Sequence, residues 1–142
     1  MPYDILLPLN GIGKKMDKLE FFKRFRQYAN ISTREESEAL CKVVFSLLSS
    51  RLTENESRDL RAQLPSELKE MWKVEEGKGV TKFHKREFLE MIMHDGNLNE
   101  LEMAEKAARG VFKVLKEQIT KGEAEDVAAQ LPKDLKEMWI SS

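Results

Sequence analysis

The feature that most constrains the fold is an eleven-residue stretch that occurs twice. Residues 62–72 read AQLPSELKEMW and residues 129–139 read AQLPKDLKEMW, an offset of 67. At this offset, residues 20–72 and 87–139 are identical at twenty positions. These positions are mostly helix caps, helix breakers and apolar sites of helical spacing. The pattern predicts two copies of one helical unit.

Each copy is predicted to contain four short helices. In the first copy, Phe21, Phe22 and Phe25 recur at the spacing of one buried helical face. The second helix, over 40–52, is apolar around most of its circumference and is therefore predicted to be the most buried. Pro65 ends the third helix and suits the first position of a fourth.

Capping signals mark where these helices begin and end. Asn30 suits a left-handed helix stop. In a capping box, a side-chain oxygen of the cap residue accepts from the backbone N–H three residues later, while the glutamate at that position reaches back to the cap. The predicted pairs are Ser32/Glu35, Thr53/Glu56, Asn99/Glu102 and Thr120/Glu123.

The domain boundaries follow from the repeat and from a polar stretch with two glycines at 73–82. We predict a lead-in at 1–16 with a loop at 10–13, a first unit at 17–72, a linker at 73–82 and a second unit at 83–142. Units of this size are near the lower limit of independent stability. We therefore expect an all-α fold in which two pseudo-symmetric units pack as one bundle-like domain, rather than two separate units on a tether.

Composition limits the classes of function. The 142 residues include 24 Lys and Arg against 25 Asp and Glu, so the net charge of −1 gives no global attraction to nucleic acid or membranes. Cys41 is the only cysteine, which excludes an internal disulfide and favours a buried apolar role. The sequence predicts no signal peptide and no membrane span, and a cytoplasmic location is expected.

Metal and cofactor chemistry is not predicted. His84 and His94 are the only histidines, and neither has a glutamate three residues before it, as a di-iron bundle requires. Their counterparts in the first unit are Asp17 and Gln27. We assign no catalytic, cofactor-binding or metal-binding residue.

Repeated acids provide one candidate for chemistry. Asp59 and Asp126 occupy equivalent positions, as do Glu56 and Glu123. A twofold axis would bring two equivalent acids together as an acid–base pair. The alternative is that the glutamates are capping partners and the aspartates are surface acids or partners of the glutamines four residues later.

Positive charge is concentrated on the first helix of each unit, where it would meet an acidic partner or phosphates. It would equally complement acidic helices of this chain. The candidate residues are Lys23, Arg24, Arg26, Lys85 and Arg86.

Trp72 and Trp139 close the two copies of the repeated stretch. Tryptophan is enriched at interaction hot spots, which makes both candidate partner anchors. Their position on the apolar face of the fourth helix favours the alternative, packing in the core.

The second copy contains a recognisable motif, GEAEDVAAQLP at 122–132. It resembles the hallmark of an uncharacterised bacterial family, the domain of unknown function DUF2267, over about 17–140. The first copy departs from the motif at Asn55, Ser57 and Arg58. The resemblance implies a small helical protein with two repeats in the bacterial cytoplasm, and it implies no activity, cofactor or site residue.

Three functions are consistent with these observations. The leading hypothesis is a non-enzymatic protein-interaction or assembly module, with a protein partner or a second copy of the chain. The first alternative is a nucleic-acid or phosphate-ligand binder that uses the basic helices. The second alternative is a small-molecule enzyme that uses symmetry-paired acids.

Overall fold

The computed structural model describes residues 16–142, and eight α-helices form in this part of the chain. No strand occurs among these residues, which confirms the predicted all-α class. The rest of the predicted lead-in, with its loop at 10–13, lies outside the described residues. None of the described helices combines the length and apolarity needed to cross a bilayer.

The helices follow one another at matching intervals in the two units. The first unit contains α1 (Lys18–Ala29), α2 (Arg34–Arg51), α3 (Glu54–Ala62) and α4 (Ser66–Lys69). The second contains α5 (Lys85–Asp95), α6 (Leu101–Gln118), α7 (Lys121–Ala129) and α8 (Lys133–Ser141). The bounds of α6 and α7 are those of α2 and α3 shifted by 67 residues. By contrast, α8 has nine residues and α4 only four.

The hydrophobic core is shared between the two units. Helix α1 packs against α6, α2 packs against α5 and α6, and α3 packs against α7. The predicted apolar faces are buried, and Cys41 is inaccessible, as predicted. Burial raises the pKa of the Cys41 thiol, so it acts as a small apolar side chain. The fully buried phenylalanines are Phe21, Phe22, Phe25, Phe45, Phe88 and Phe112.

A close helix contact between the units occurs at Gly110 on α6. A Cβ atom at this position would lie 3.0 Å from Cδ1 of Phe25 and 3.1 Å from Cβ of Ala29. A larger side chain would push α1 outward, so the glycine sets how closely the first helix of one unit approaches the second helix of the other.

The predicted left-handed stop at Asn30 is confirmed, with φ of 58°, and Asn97 at the equivalent position has φ of 55°. In both turns a 6→1 hydrogen bond closes the helix, from Ile31 N to Arg26 O and from Leu98 N to Met93 O.

Two predicted caps are wrong by one residue. The N-cap of α2 is Thr33, whose hydroxyl accepts from Glu36 N, rather than Ser32 with Glu35. Both residues have a hydroxyl and an acid three positions later, so the pattern does not choose between them; Thr33 has the extended backbone that a cap requires. Helix α6 likewise begins one residue late, after Glu100 rather than Asn99, and Glu100 makes no side-chain cap.

Candidate functional site

The repeated stretch makes its most specific contact with the opposite unit. Oε1 of Gln63 accepts a hydrogen bond from Thr120 N at 2.8 Å, and Oε1 of Gln130 accepts one from Thr53 N at 2.8 Å. Gln130 also donates through Nε2 to Oγ1 of Thr53 at 3.1 Å. Each glutamine therefore caps a helix of the other unit. This contact explains why both copies have a glutamine at this position, which core packing alone does not require.

These cross-unit bonds alter the predicted capping boxes of α3 and α7. The threonine hydroxyls accept from the backbone as predicted, Thr53 from Glu56 N and Thr120 from Glu123 N. The prediction that the glutamates reach back is wrong, because the threonine N–H groups are already bonded to the glutamines. The two carboxyl groups are therefore available for another contact.

That contact is between Glu56 and Glu123, which meet where α3 packs against α7. The two carboxyl groups lie close enough for a hydrogen bond when one of them is protonated, and the residues are only 7% and 6% exposed. One carboxyl oxygen of each, Oε2, is buried without a partner. Two ionised carboxylates repel each other at such a separation, so one proton is retained by the pair. We call these two residues and the Gln–Thr caps beside them the junction.

The proton at the junction is held tightly. Burial, together with the hydrogen bond and the negative charge of Glu123, raises the pKa of Glu56 from 4.5 to about 8. Asp126 and Asp59 add to the shift through their negative charge. Glu56 is thus mainly a neutral acid at pH 7.

The other repeated acids, Asp59 and Asp126, are exposed to solvent, three residues after Glu56 and Glu123. Their pairing stays a prediction. The glutamates, interpreted as capping residues, lie at the contact between α3 and α7. A threonine N-cap followed three residues later by glutamate is the pattern of an ordinary capping box. Only the glutamine of the other unit, which bonds to the threonine N–H, shows that the glutamate does not complete the box here.

A groove of about 600 Å³ lies between α7 and α8. We call it the open groove. Its floor is apolar and includes Ile140, which is 62% exposed. Its apolar lining residues are Ala124, Ala128, Ala129, Trp139 and Ile140, and its charged lining residues are Lys116, Lys121, Lys136 and Glu125.

The equivalent groove of the first unit, which we call the first groove, has a volume of about 670 Å³, and Arg61 forms part of its wall. Nε of Arg61 donates to Lys69 O at 3.0 Å and to Trp72 O at 3.2 Å, which joins α3 to the end of α4. The residue at the same position in the second unit is Ala128. The open groove therefore lacks the side chain that joins the two helices in the first groove.

The linker also lines one side of the first groove. Lys73 O accepts from Oγ of Ser49 at 2.7 Å, and Gly77 N donates to Oε1 of Glu54 at 3.2 Å. Between them, Val74 packs against the core. In the second unit the helix continues instead, and Nζ of Lys116 bonds to the carbonyls at the end of α8.

The sequence pattern of the family described as "Uncharacterized conserved protein (DUF2267)" matches residues 18–138. The chain belongs to this family. The match includes the whole junction and most of the open groove. A comparison with curated proteins finds no match.

The basic helices of the DUF2267 chain are largely balanced by its own acids. Arg24 bonds to Glu20 at 2.8 Å and to Glu117 at 3.2 Å. These bonds raise the pKa of Arg24, chiefly through Glu20. Lys23 is exposed and Arg26 is half-buried on the same helix.

The first helix of the second unit repeats this balance. Arg86 pairs with Glu90 at 3.2 Å, and Lys85 pairs with Glu105 at 3.7 Å. Three of the five candidate basic residues, Arg24, Lys85 and Arg86, are therefore paired with acids of the same chain.

The two tryptophans of the DUF2267 chain are core residues, each 1% exposed. Nε1 of Trp72 donates to Ser57 O at 3.1 Å and Ser57 Oγ at 2.9 Å, and Nε1 of Trp139 donates to Ala124 O at 3.0 Å. Packing in the core, which their position on the apolar face favoured, is therefore confirmed, and Trp139 also borders the open groove. This groove was not predicted from the sequence, although the difference between Arg61 and Ala128 at aligned positions indicates it.

Proposed function

We propose that this DUF2267 chain is a non-enzymatic protein-interaction module that binds a partner in the open groove. The observation that carries the proposal is the apolar floor beside Trp139, bordered by the exposed side chain of Ile140. An apolar surface with a polar rim is typical of a docking site. The proposal includes the bacterial cytoplasm as the setting, on the strength of the family motif and the single, buried cysteine.

The comparison between units supports this choice of surface. The equivalent groove of the first unit has a similar volume, about 670 Å³, but its lining includes Arg61 and Lys73. In the open groove, Ala128 and Ile140 stand at these two positions, so its lining is more apolar. The open groove is therefore better suited to bury an apolar side chain of a partner.

The two alternatives have less support from the geometry. Nucleic-acid binding would rely on basic helices on which Arg24, Lys85 and Arg86 are already paired with acids of the same chain. An enzyme would rely on Glu56 and Glu123, but these carboxyl groups are packed against each other between α3 and α7. A substrate would have to separate the two helices to reach them.

Photo-crosslinking in the native cell tests the proposal. A benzoylphenylalanine at Ile140 is compared with one at Leu19, which is 58% exposed on α1. We expect a discrete adduct from position 140 that disappears when Ala128→Arg fills the groove. An adduct of twice the 16.5 kDa chain mass identifies a second copy as the partner. Equal labelling from positions 140 and 19, or no adduct from 140, would overturn the proposal.

A further inference from the structure

We infer that the first groove binds a phosphate monoester, with the guanidinium of Arg61 and the ammonium groups of Lys69 and Lys73 around the phosphate. This site goes beyond the proposed function, because it lies in a different groove and takes a ligand of different chemistry. It does not depend on a partner in the open groove. The first groove lies between α3 and α4, with residues of the linker along one side.

Three of the four cationic side chains that line the first groove have no acidic partner. The fourth, Arg58, pairs with Glu76 at 3.1 Å, and both of these residues line the groove. In the described part of the chain, Arg61, Lys69 and Lys73 form no ion pair with a carboxylate. Their charges are therefore available to a ligand, unlike those of the paired cations on α1 and α5.

The lining of the first groove has a net positive charge of two. It contains four cations and two acids, Glu70 and Glu76. A phosphate monoester has close to two negative charges at neutral pH, so it offsets this excess. A single carboxylate offsets only half of it.

Arg61 is anchored in a way that leaves its Nη groups for a ligand. Its Nε donates to Lys69 O at 3.0 Å and to Trp72 O at 3.2 Å, which fixes the side chain on the wall of the groove. Among residues 16–142, neither Nη group forms a hydrogen bond or an ion pair. The planar guanidinium offers two parallel N–H donors, which match two oxygens of a phosphate. Because the side chain is already held in place, less freedom is lost when the ligand binds.

The organic part of the ester meets apolar side chains beside these charges. Ala62 and Val74 line the same groove as Arg61 and Lys73. Its volume of about 670 Å³ is within the range of small-molecule sites. A phosphate ester therefore fits with its phosphate at the cations and its carbon atoms against Ala62 and Val74.

The open groove lacks this arrangement, although lysines also line it. Ala128 and Ile140 stand at the positions of Arg61 and Lys73, so the guanidinium is absent there. Lys136 is the counterpart of Lys69 and lines the open groove. The chain therefore offers a matched pair of lysines, one in each groove, for a test.

Titration of the full chain at neutral pH and constant ionic strength tests the inference, followed by the backbone amide shifts. The probes are phenyl phosphate and benzoate, which share a ring but differ in charge. We expect phenyl phosphate to shift the amides of Arg61, Lys69 and Lys73 and to bind about tenfold more tightly than benzoate. Shifts that map to another surface, shifts that do not saturate, or equal binding of the two probes would overturn the inference.

Two further probes, inorganic phosphate and the phosphoserine peptide acetyl-Gly-pSer-Gly-amide, identify the source of the phosphate. Binding of phenyl phosphate more tightly than the peptide supports a small-molecule ester, and the reverse supports a phosphorylated protein. Inorganic phosphate that binds more tightly than both would overturn the ester as the ligand.

Variants separate the first groove from the open groove. Lys69→Ala is expected to weaken binding of phenyl phosphate about tenfold, because one of three cations is lost. Lys136→Ala removes the equivalent lysine of the open groove and should bind like the parent. Arg61→Lys keeps the charge but loses the paired donors, and Lys73→Ile reproduces the open groove, so both should also weaken binding. Urea unfolding of each variant distinguishes lost binding from a lost fold, and equal effects of Lys69→Ala and Lys136→Ala would contradict the site.

Discussion

The junction and the grooves show opposite relationships between the two units. At the junction, the residues are identical in both copies: each unit presents a threonine, a glutamate and a glutamine to the other. At the grooves, the same helix pair carries Arg61 in one unit and Ala128 in the other, and a folded-back linker in one and a longer helix in the other.

The difference follows from what each surface contacts. The crossed hydrogen bonds require the same side chains from each unit, because each unit caps a helix of the other. The two grooves carry no such requirement, and their residues differ. Identity at the junction therefore reflects the contact between units, and divergence at the grooves allows a separate role.

The largest loss of stability is expected at the two tryptophans, one in each unit. Trp72→Ala and Trp139→Ala should each lower the free energy of unfolding by about 3 to 5 kcal/mol, because each leaves a large cavity beside a phenylalanine. Urea unfolding of the two variants measures this. Ile140→Ala, at an exposed site of the same helix as Trp139, is the control and should change stability by less than about 0.5 kcal/mol. A loss below about 1 kcal/mol for only one tryptophan would show that the two units do not share the core equally.

The next largest effect on the free energy of unfolding is expected at Glu56 and Glu123. Because the pKa of Glu56 is about 8 in the folded chain and 4.5 in the reference state, the folded state binds more protons between these values. The stabilisation by this proton is complete below pH 4.5 and is lost as the pH rises through about 8. Glu56→Gln should remove this loss and raise the free energy of unfolding by roughly 2 kcal/mol at pH 9, with little change at pH 4.

Urea unfolding from pH 4 to 9 measures this pH dependence. Glu123→Gln should reproduce the effect, and the double variant should add little, because removing either acid ends the repulsion. Glu35→Gln, an exposed acid on α2, is the matched control and should follow the parent curve. A Glu56→Gln curve parallel to that of the parent would show that the pair does not hold a proton.

The smallest effect is expected at the crossed caps. Gln130→Ala should lower the free energy of unfolding by about 1 kcal/mol and Gln63→Ala by a similar amount, since each removes a hydrogen bond to a helix N-cap. Hydrogen exchange gives the sharper measurement: Gln130→Ala should speed exchange at Thr53, and Gln63→Ala at Thr120. Gln27→Ala, exposed on α1, is the control. Faster exchange within the mutated unit alone would contradict the crossed arrangement.

Local patterns predicted most of the fold because the relevant interactions are short in range. The spacing of Phe21, Phe22 and Phe25 is sufficient to mark a buried face. Asn30 tolerates left-handed geometry, so its turn was predictable from one residue. The cap of α2 was predicted one residue early because Ser32 and Thr33 offer the same local chemistry, and the sequence does not rank them.

The candidate site was less predictable because it depends on residues far apart in the chain. Glu56 has the sequence context of a capping residue, and nothing near it shows that Gln130, in the other unit, makes the bond it was expected to make. The exposure of Asp59 likewise depends on where α7 crosses α3. The grooves follow the same rule, since their difference depends on the linker and on the length of α8.

The sequence by itself determined the helical class, the position of most helices, the repeat and the family, because each is recorded in local spacing or in identity between copies. Only the tertiary structure decided what the repeated glutamates do and which residues line the two grooves. The physical reason is that pairing two acids, and lining a groove, are relationships between distant segments. Burial of Glu56 and Glu123 favours the form of the pair that keeps one proton. The apolar area left exposed beside Trp139 favours the binding of a partner there.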